Sequence, residues 1–169
     1  MILTKAELVS SLKHEVQILV HLAGKAERPM HDYRPTAKQR SALELLRYMS
    51  FMGPEVLKSA RQGGFDLKAW SAAEAAAQAR DFDQTMAVIA KQGDVYEQML
   101  ADVTDAEFRK EIQMFGTTRT LGSTIVDIIL CGHAAYRTQL FLYLKSCGRE
   151  ELSTMNLWAG MDAPTPAPA

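Results

Sequence analysis

The stretch from Thr120 to Cys147, TLGSTIVDIILCGHAAYRTQLFLYLKSC, constrains the fold more than any other part of the chain. Ile125, Ile128, Ile129, Gly132, Tyr136, Leu140, Tyr143 and Cys147 recur every three to four positions, the spacing at which one face of an α-helix meets a core. The spacing predicts a single long helix with that face turned inward. His133, Tyr136 and Gln139 fall within two turns of one another beside the small Gly132. Polar groups that interrupt an apolar stripe mark where a helix bundle builds a ligand or metal site, because such sites project inward from facing helices.

The rest of the chain supplies partners for that helix. Thr4 and Glu7 have capping-box spacing and open a helix to about Ala23, with Leu8, Leu12, Val16, Leu19 and Ala23 as its buried stripe. His14 and His21 stand two turns apart on a flanking row, too far for a shared metal, and read as structural or solvent-facing. Residues 25–40, punctuated by Pro29 and Pro35, form a connection in which the neighbours His31 and Asp32 belong to a solvated loop. A second helix starts at Thr36 or Ser41 and carries Leu45, Tyr48, Met49 and Met52 on one face, with Gly53-Pro54 expected to stop or kink it before a short extension to Gly63. Phe65 to Trp70 reads as a loop, followed by an alanine-rich turn opened by Ser71 and Glu74. Phe82, Ile89, Tyr96 and Val103 repeat every seven residues, interleaved with Met86, Gly93 and Leu100, which predicts a third long helix capped by Asp81. Gly93 inside that helix implies a close approach by another one. Phe108, Ile112 and Met114 then alternate with charged residues as an extended crossover before Gly116.

Four amphipathic helices without a credible sheet predict an all-α four-helix bundle, and the unequal connections predict at least one long crossover. The bundle is expected over residues 1–161, with Leu152, Met155, Leu157 and Trp158 packing back on it. Residues 162–169, DAPTPAPA, are expected to be a disordered proline-rich tail. A net charge of −1, from 19 basic and 20 acidic residues, gives no field that would favour nucleic acid or an anionic membrane. Cys131 and Cys147 lie too far apart along one rod to bond and read as reduced, buried thiols. With no signal-like or membrane-spanning apolar run, the expected location is cytoplasmic.

Three segments carry a family resemblance. They are Asp32-Tyr33-Arg34-Pro35, Leu45-Leu46-Arg47-Tyr48, and Tyr136-Arg137-Thr138-Gln139-Leu140 with Tyr143-Leu144 and Gly148. In order and spacing the chain resembles the DinB/YfiT-like superfamily of metal-associated four-helix bundles, whose last helix reads His-Arg-x-Gln-Leu-x-x-Tyr-Leu-x-x-x-Gly. The resemblance implies a zinc or nickel ion held by three histidines, one on the second helix and two spaced i, i+4 on the last. In this chain those positions fall on Tyr48, Gly132 and Tyr136, so the usual site is degenerate and no cofactor is expected. The alternative is a zinc or nickel ion held by His133 with help from Tyr48, Tyr136 or Asp127.

The functional expectation is a small-molecule pocket between the second and last helices, bounded by Tyr48, Met52, His133, Tyr136 and Gln139. Phenols, an imidazole and an amide in an apolar cavity make a few directional contacts, the usual composition of a ligand site. One alternative is a metal- or thiol-dependent transferase or isomerase of the kind the resemblance implies, although no nucleophile is marked and Cys131 has no flanking cation to favour its thiolate. The other is a homodimeric interaction protein using Met49, Met52, Met86 and Met99 as an adaptable surface. Whether the chain is an enzyme, and which residues would be catalytic, is left open by the sequence.

Overall fold

The computed structural model describes residues 3–164, and all structural statements concern these. Helix α1 (Lys5–Ala23) begins as its capping box requires: Thr4 accepts from the Glu7 amide, and the Glu7 carboxylate takes the Thr4 amide at 2.8 Å. Ser41 and Glu44 repeat the arrangement at the start of α2 (Ala42–Gln62). Pro54 lies inside α2 and does not end it. Met49, Met52, Val56 and Leu57, on both sides of the proline, are all buried, and tertiary packing of this face outweighs the lost backbone bond.

Helix α3 (Leu67–Gln78) starts earlier than the sequence indicates, because the Asp66 carboxylate caps it by accepting from the Ala69 amide at 2.9 Å. The predicted third long helix is two, α4 (Phe82–Ala90) and α5 (Gln92–Leu100), broken at Lys91. The expected close approach at Gly93 is present: a Cβ built there would meet the Lys13 Cγ of α1 at 3.0 Å. The crossover holds a short helix α6 (Asp105–Phe108) and, contrary to the expectation of no sheet, an antiparallel hairpin of β1 (Glu111–Met114) and β2 (Thr117–Thr120).

The last long helix runs unbroken through three segments: α7 (Leu121–Thr124), a π-helical turn (Ile125–Leu130) and α8 (Cys131–Ser146). A short α9 (Thr154–Trp158) follows. Helix α1 packs on α4, α5 and α8, and α2 packs on the same three, so α1 and α2 occupy opposite corners of a four-column bundle, with α3 lying outside against α2. Met49 and Met52 are buried and Met86 and Met99 are partly buried against the core. These four methionines pack into or against the core instead of standing out as a surface. Asp162, the first residue of the expected tail, is held by Lys25 at 2.7 Å and Asn156 at 2.8 Å; residues 165–169 lie outside the described residues. Among the described residues, no helix is long and apolar enough to cross a membrane.

One buried ion pair fixes the rotation of α8. Arg137 is 2% exposed. Its guanidinium donates to Glu15 on α1 at 2.5 and 3.2 Å and to the Leu157 carbonyl, so it joins α1, α8 and α9 at one point. Removing one member of a buried pair leaves the other charge without compensation and costs about 3–5 kcal/mol, whereas replacing both with apolar groups of similar volume is often neutral. Glu15→Leu is therefore expected to lose stability of that order in urea unfolding, and adding Arg137→Met to recover most of it.

Candidate functional site

With α8 set in this way, two faces of the last helix do different work. His133 and Arg137, one turn apart, point into the bundle, and both are buried. Gly132 and Tyr136, each rotated about 100° from them, face α2. There Tyr48, Met52 and Val56, one turn apart along α2, form the opposite wall of a groove of about 490 Å3. Asp127 and Ile128 of the π turn and Cys131, Gly132, Ala135 and Tyr136 of α8 line the near side. Phe65, Trp70 at the start of α3, and Phe115 at the hairpin tip complete it.

The aromatic rings form a continuous ladder. Tyr136 meets Tyr48 edge to face at 5.1 Å, Tyr48 meets Trp70 at 6.1 Å, Trp70 meets Phe65 at 5.4 Å, and Phe65 meets Phe115 at 5.0 Å. These are the separations and tilts at which aromatic pairs attract. The Arg40 guanidinium lies 4.0 Å above the Tyr48 ring. Burial, followed by the neighbouring Tyr136 phenol, pushes the Tyr48 pKa well above its ordinary value, so this hydroxyl stays protonated.

Tyr48, Gly132 and Tyr136, aligned above with the ligand positions of the DinB/YfiT-like pattern, do come together in this groove. Their chemistry does not fit a divalent cation. Tyr48 is held as a neutral phenol, and Gly132 has no donor. A Cβ built at Gly132 would stand 3.0 Å from the Met52 Cε, so the Met52 methyl fills the space a side chain at 132 would need. Among the described residues, no three His, Cys, Asp or Glu side chains converge as a metal cluster.

Two residues expected in the pocket lie elsewhere. His133 is fully buried on the core side of α8, its Nε2 2.7 Å from the Tyr96 hydroxyl of α5, and its Nδ1 has no partner among the described residues. A Cβ at Gly53 of α2 would collide with that Tyr96 hydroxyl, so the glycine makes room for the phenol. Gln139 donates to the Tyr143 hydroxyl, which in turn donates to the Arg40 carbonyl at 3.2 Å, a strut between α8 and the start of α2. Tyr48, Met52 and Tyr136 do line the groove. Cys131, expected to be buried, is exposed at its rim. His14 is exposed, while His21 meets Asn156 at 3.0 Å, so these two histidines share no site. His31 stacks on Phe82 at 4.2 Å, packing instead of pairing with Asp32.

Burial, reinforced by the Arg137 charge, lowers the His133 pKa from 6.5 to about 4. The folded state therefore keeps this imidazole neutral where the unfolded chain binds a proton. The sign follows from linkage: the full contribution is present above pH ~6.5, and about 1.4 kcal/mol is lost per pH unit below it until the folded group titrates. Urea unfolding is expected to show a loss of about 2 kcal/mol between pH 6.5 and 5 that His133→Phe reduces. An equal acid loss in the variant would assign it to other groups.

In sequence, the chain matches no protein-family model and no curated protein. In structure it is similar to a DinB-like protein (YjoA) of Bacillus subtilis, with a TM-score of 0.67 and 18% identity over 87% of this chain and 95% of that one. The fold is accordingly the DinB-like all-α bundle.

Proposed function

We propose that this chain binds a small organic molecule in the groove between α2 and α8. The observation that carries this reading is the convergence of Tyr48, Phe65, Trp70, Phe115 and Tyr136 on one concavity. These five side chains come from four separate parts of the chain. A mostly apolar concavity with a few polar groups is the usual form of a ligand site, and about 490 Å3 lies within the usual range for one. The polar groups are the two phenols, the Cys131 thiol and Asp127, whose carboxylate is engaged by Arg119 at 3.1 Å. The donor set does not support a Lewis-acid step, and none is assigned. The neighbouring His133 is directed into the core, away from Cys131, and the Asp127 carboxylate one turn before it is engaged by Arg119, so neither is placed to activate the thiol. Binding is accordingly preferred to catalysis.

A groove-filling variant tests the reading. Ala135 is exposed and lines the groove, so Ala135→Trp occupies the space without disturbing the core. In a thermal-shift screen of uncharged organic fragments, a ligand at one hundred times its Kd adds about 2.7 kcal/mol to the stability of the protein that binds it. Fragments that raise the Tm of the wild-type chain are expected to leave Ala135→Trp unmoved. Equal stabilisation of both proteins, or none of the wild type, would sink the proposal.

A further inference from the structure

The hairpin tip is strained at the point where it reaches the groove. Met114 pairs with Thr117, leaving Phe115 and Gly116 as a two-residue turn with φ of 53° and 74°. Positive φ at both positions is the type I′ geometry, whose first position suits Asn, Asp or Gly. A bulky side chain there is a conformational outlier. Among the described residues, Phe115 is the one non-glycine with positive φ, and it is 56% exposed. Its ring rests on Phe65 and lines the groove. A residue that is strained, aromatic and exposed at once contributes little to its own turn, and such outliers concentrate where a protein holds a ligand.

Two further observations converge on the same place. The floor below Phe115 includes the π-helical turn Ile125–Leu130, which carries Asp127 and Ile128 into the groove; π turns occur disproportionately at functional sites. The charge balance is also informative. Asp127 is the single charged residue in the lining and is paired with Arg119, so the one charge of the lining is already balanced.

We infer that the groove takes a flat, uncharged aromatic molecule bearing a hydrogen-bond acceptor, and that Phe115 is the clamp that stacks on its ring. Tyr48 and Tyr136 supply hydroxyl donors for the acceptor, and Trp70 and Phe65 form the continuous wall. This assignment rests on the proposed ligand-binding role of the groove and adds the class of ligand and the specificity-determining residue. The hairpin tip is then a compromise in which Asn at position 115 would suit the turn better and the ligand worse.

The compromise gives a test that a structural role would not pass. The probe is 9-fluorenone, flat and uncharged with a carbonyl acceptor. It is compared with cyclododecanone, which has the carbonyl without the flat ring, and with a naphthylmethyl trimethylammonium ion, which is flat but charged. The chain has two tryptophans, so in a Trp158→Phe background Trp70 fluorescence reports on the groove alone. Protection of Cys131 from a thiol reagent, read by peptide mass spectrometry, reports on it independently.

The expected ranking places fluorenone at least tenfold tighter than either comparator. Phe115→Asn is expected to melt at the same or a higher temperature while its Kd for fluorenone rises at least tenfold. A lower melting temperature in Phe115→Asn, an unchanged Kd, or a different ranking of the probes overturns the inference about ligand class and clamp. If no probe quenches Trp70 or protects Cys131 in the parent chain, the ligand-binding role of the groove falls as well.

Discussion

The buried pairing of Arg137 with Glu15 decides which way the last helix faces, and the rest of the site follows from that. A guanidinium held by two oxygens of one carboxylate and by the Leu157 carbonyl has little rotational freedom, since a planar fork matches a carboxylate in one orientation. With Arg137 directed at α1, His133 one turn earlier is directed at α5, where it meets Tyr96. The neighbouring face, carrying Asp127, Cys131, Gly132 and Tyr136, is left for α2 and the groove. One electrostatic contact on the core side of α8 thus sets the chemistry on its other side.

At the three positions aligned with the resembled family's ligands the groove presents the protonated Tyr48, the backbone of Gly132 beside the Met52 methyl, and the Tyr136 phenol, with the Asp127 carboxylate and the Cys131 thiol further along the lining. The ring contacts from Tyr136 to Phe115, edge-to-face at one end and tilted at the other, each contribute about 0.5–1.5 kcal/mol beyond burial, and together they hold the wall in place. A preorganised wall reduces the ordering cost of binding. Among the described residues, Phe115 at the hairpin tip is the one non-glycine with positive φ, and the π turn that follows the hairpin runs on directly into α8.

Much of the bundle was legible in the sequence because its signals are local. Thr4 with Glu7 and Ser41 with Glu44 announce helix starts through neighbours three residues apart, and Gly93 announces the approach of α1. The turn of α8 was misread at its middle for a physical reason. His133, Tyr136 and Gln139 read in the sequence as polar breaks in an inward stripe through Gly132 and Tyr136, whereas the neutral imidazole of His133 and the paired guanidinium of Arg137 are themselves the inward groups. Their burial depends on Tyr96 and Glu15, which lie far away in the chain and leave no mark on the spacing. Trp70 and Phe115 were missed as walls because α3 and the hairpin carry no strong period, although Phe115-Gly116 between two short alternating runs was a hairpin signal of modest strength. Pro54 shows the converse: a strong local breaker overruled by the core packing on both sides of it.

The most direct measurement is a titration of the full chain, labelled at its methionine methyl groups, with 9-fluorenone followed by NMR. The Met52 methyl stands beside Gly132 at the bottom of the groove, whereas Met155 and Met161 are exposed near the C-terminal end of the described chain. Occupation of the groove by an organic ligand requires a saturable shift of the Met52 resonance with the other two unmoved. Saturable binding that leaves Met52 in place, or that shifts Met155 and Met161 instead, would contradict the account.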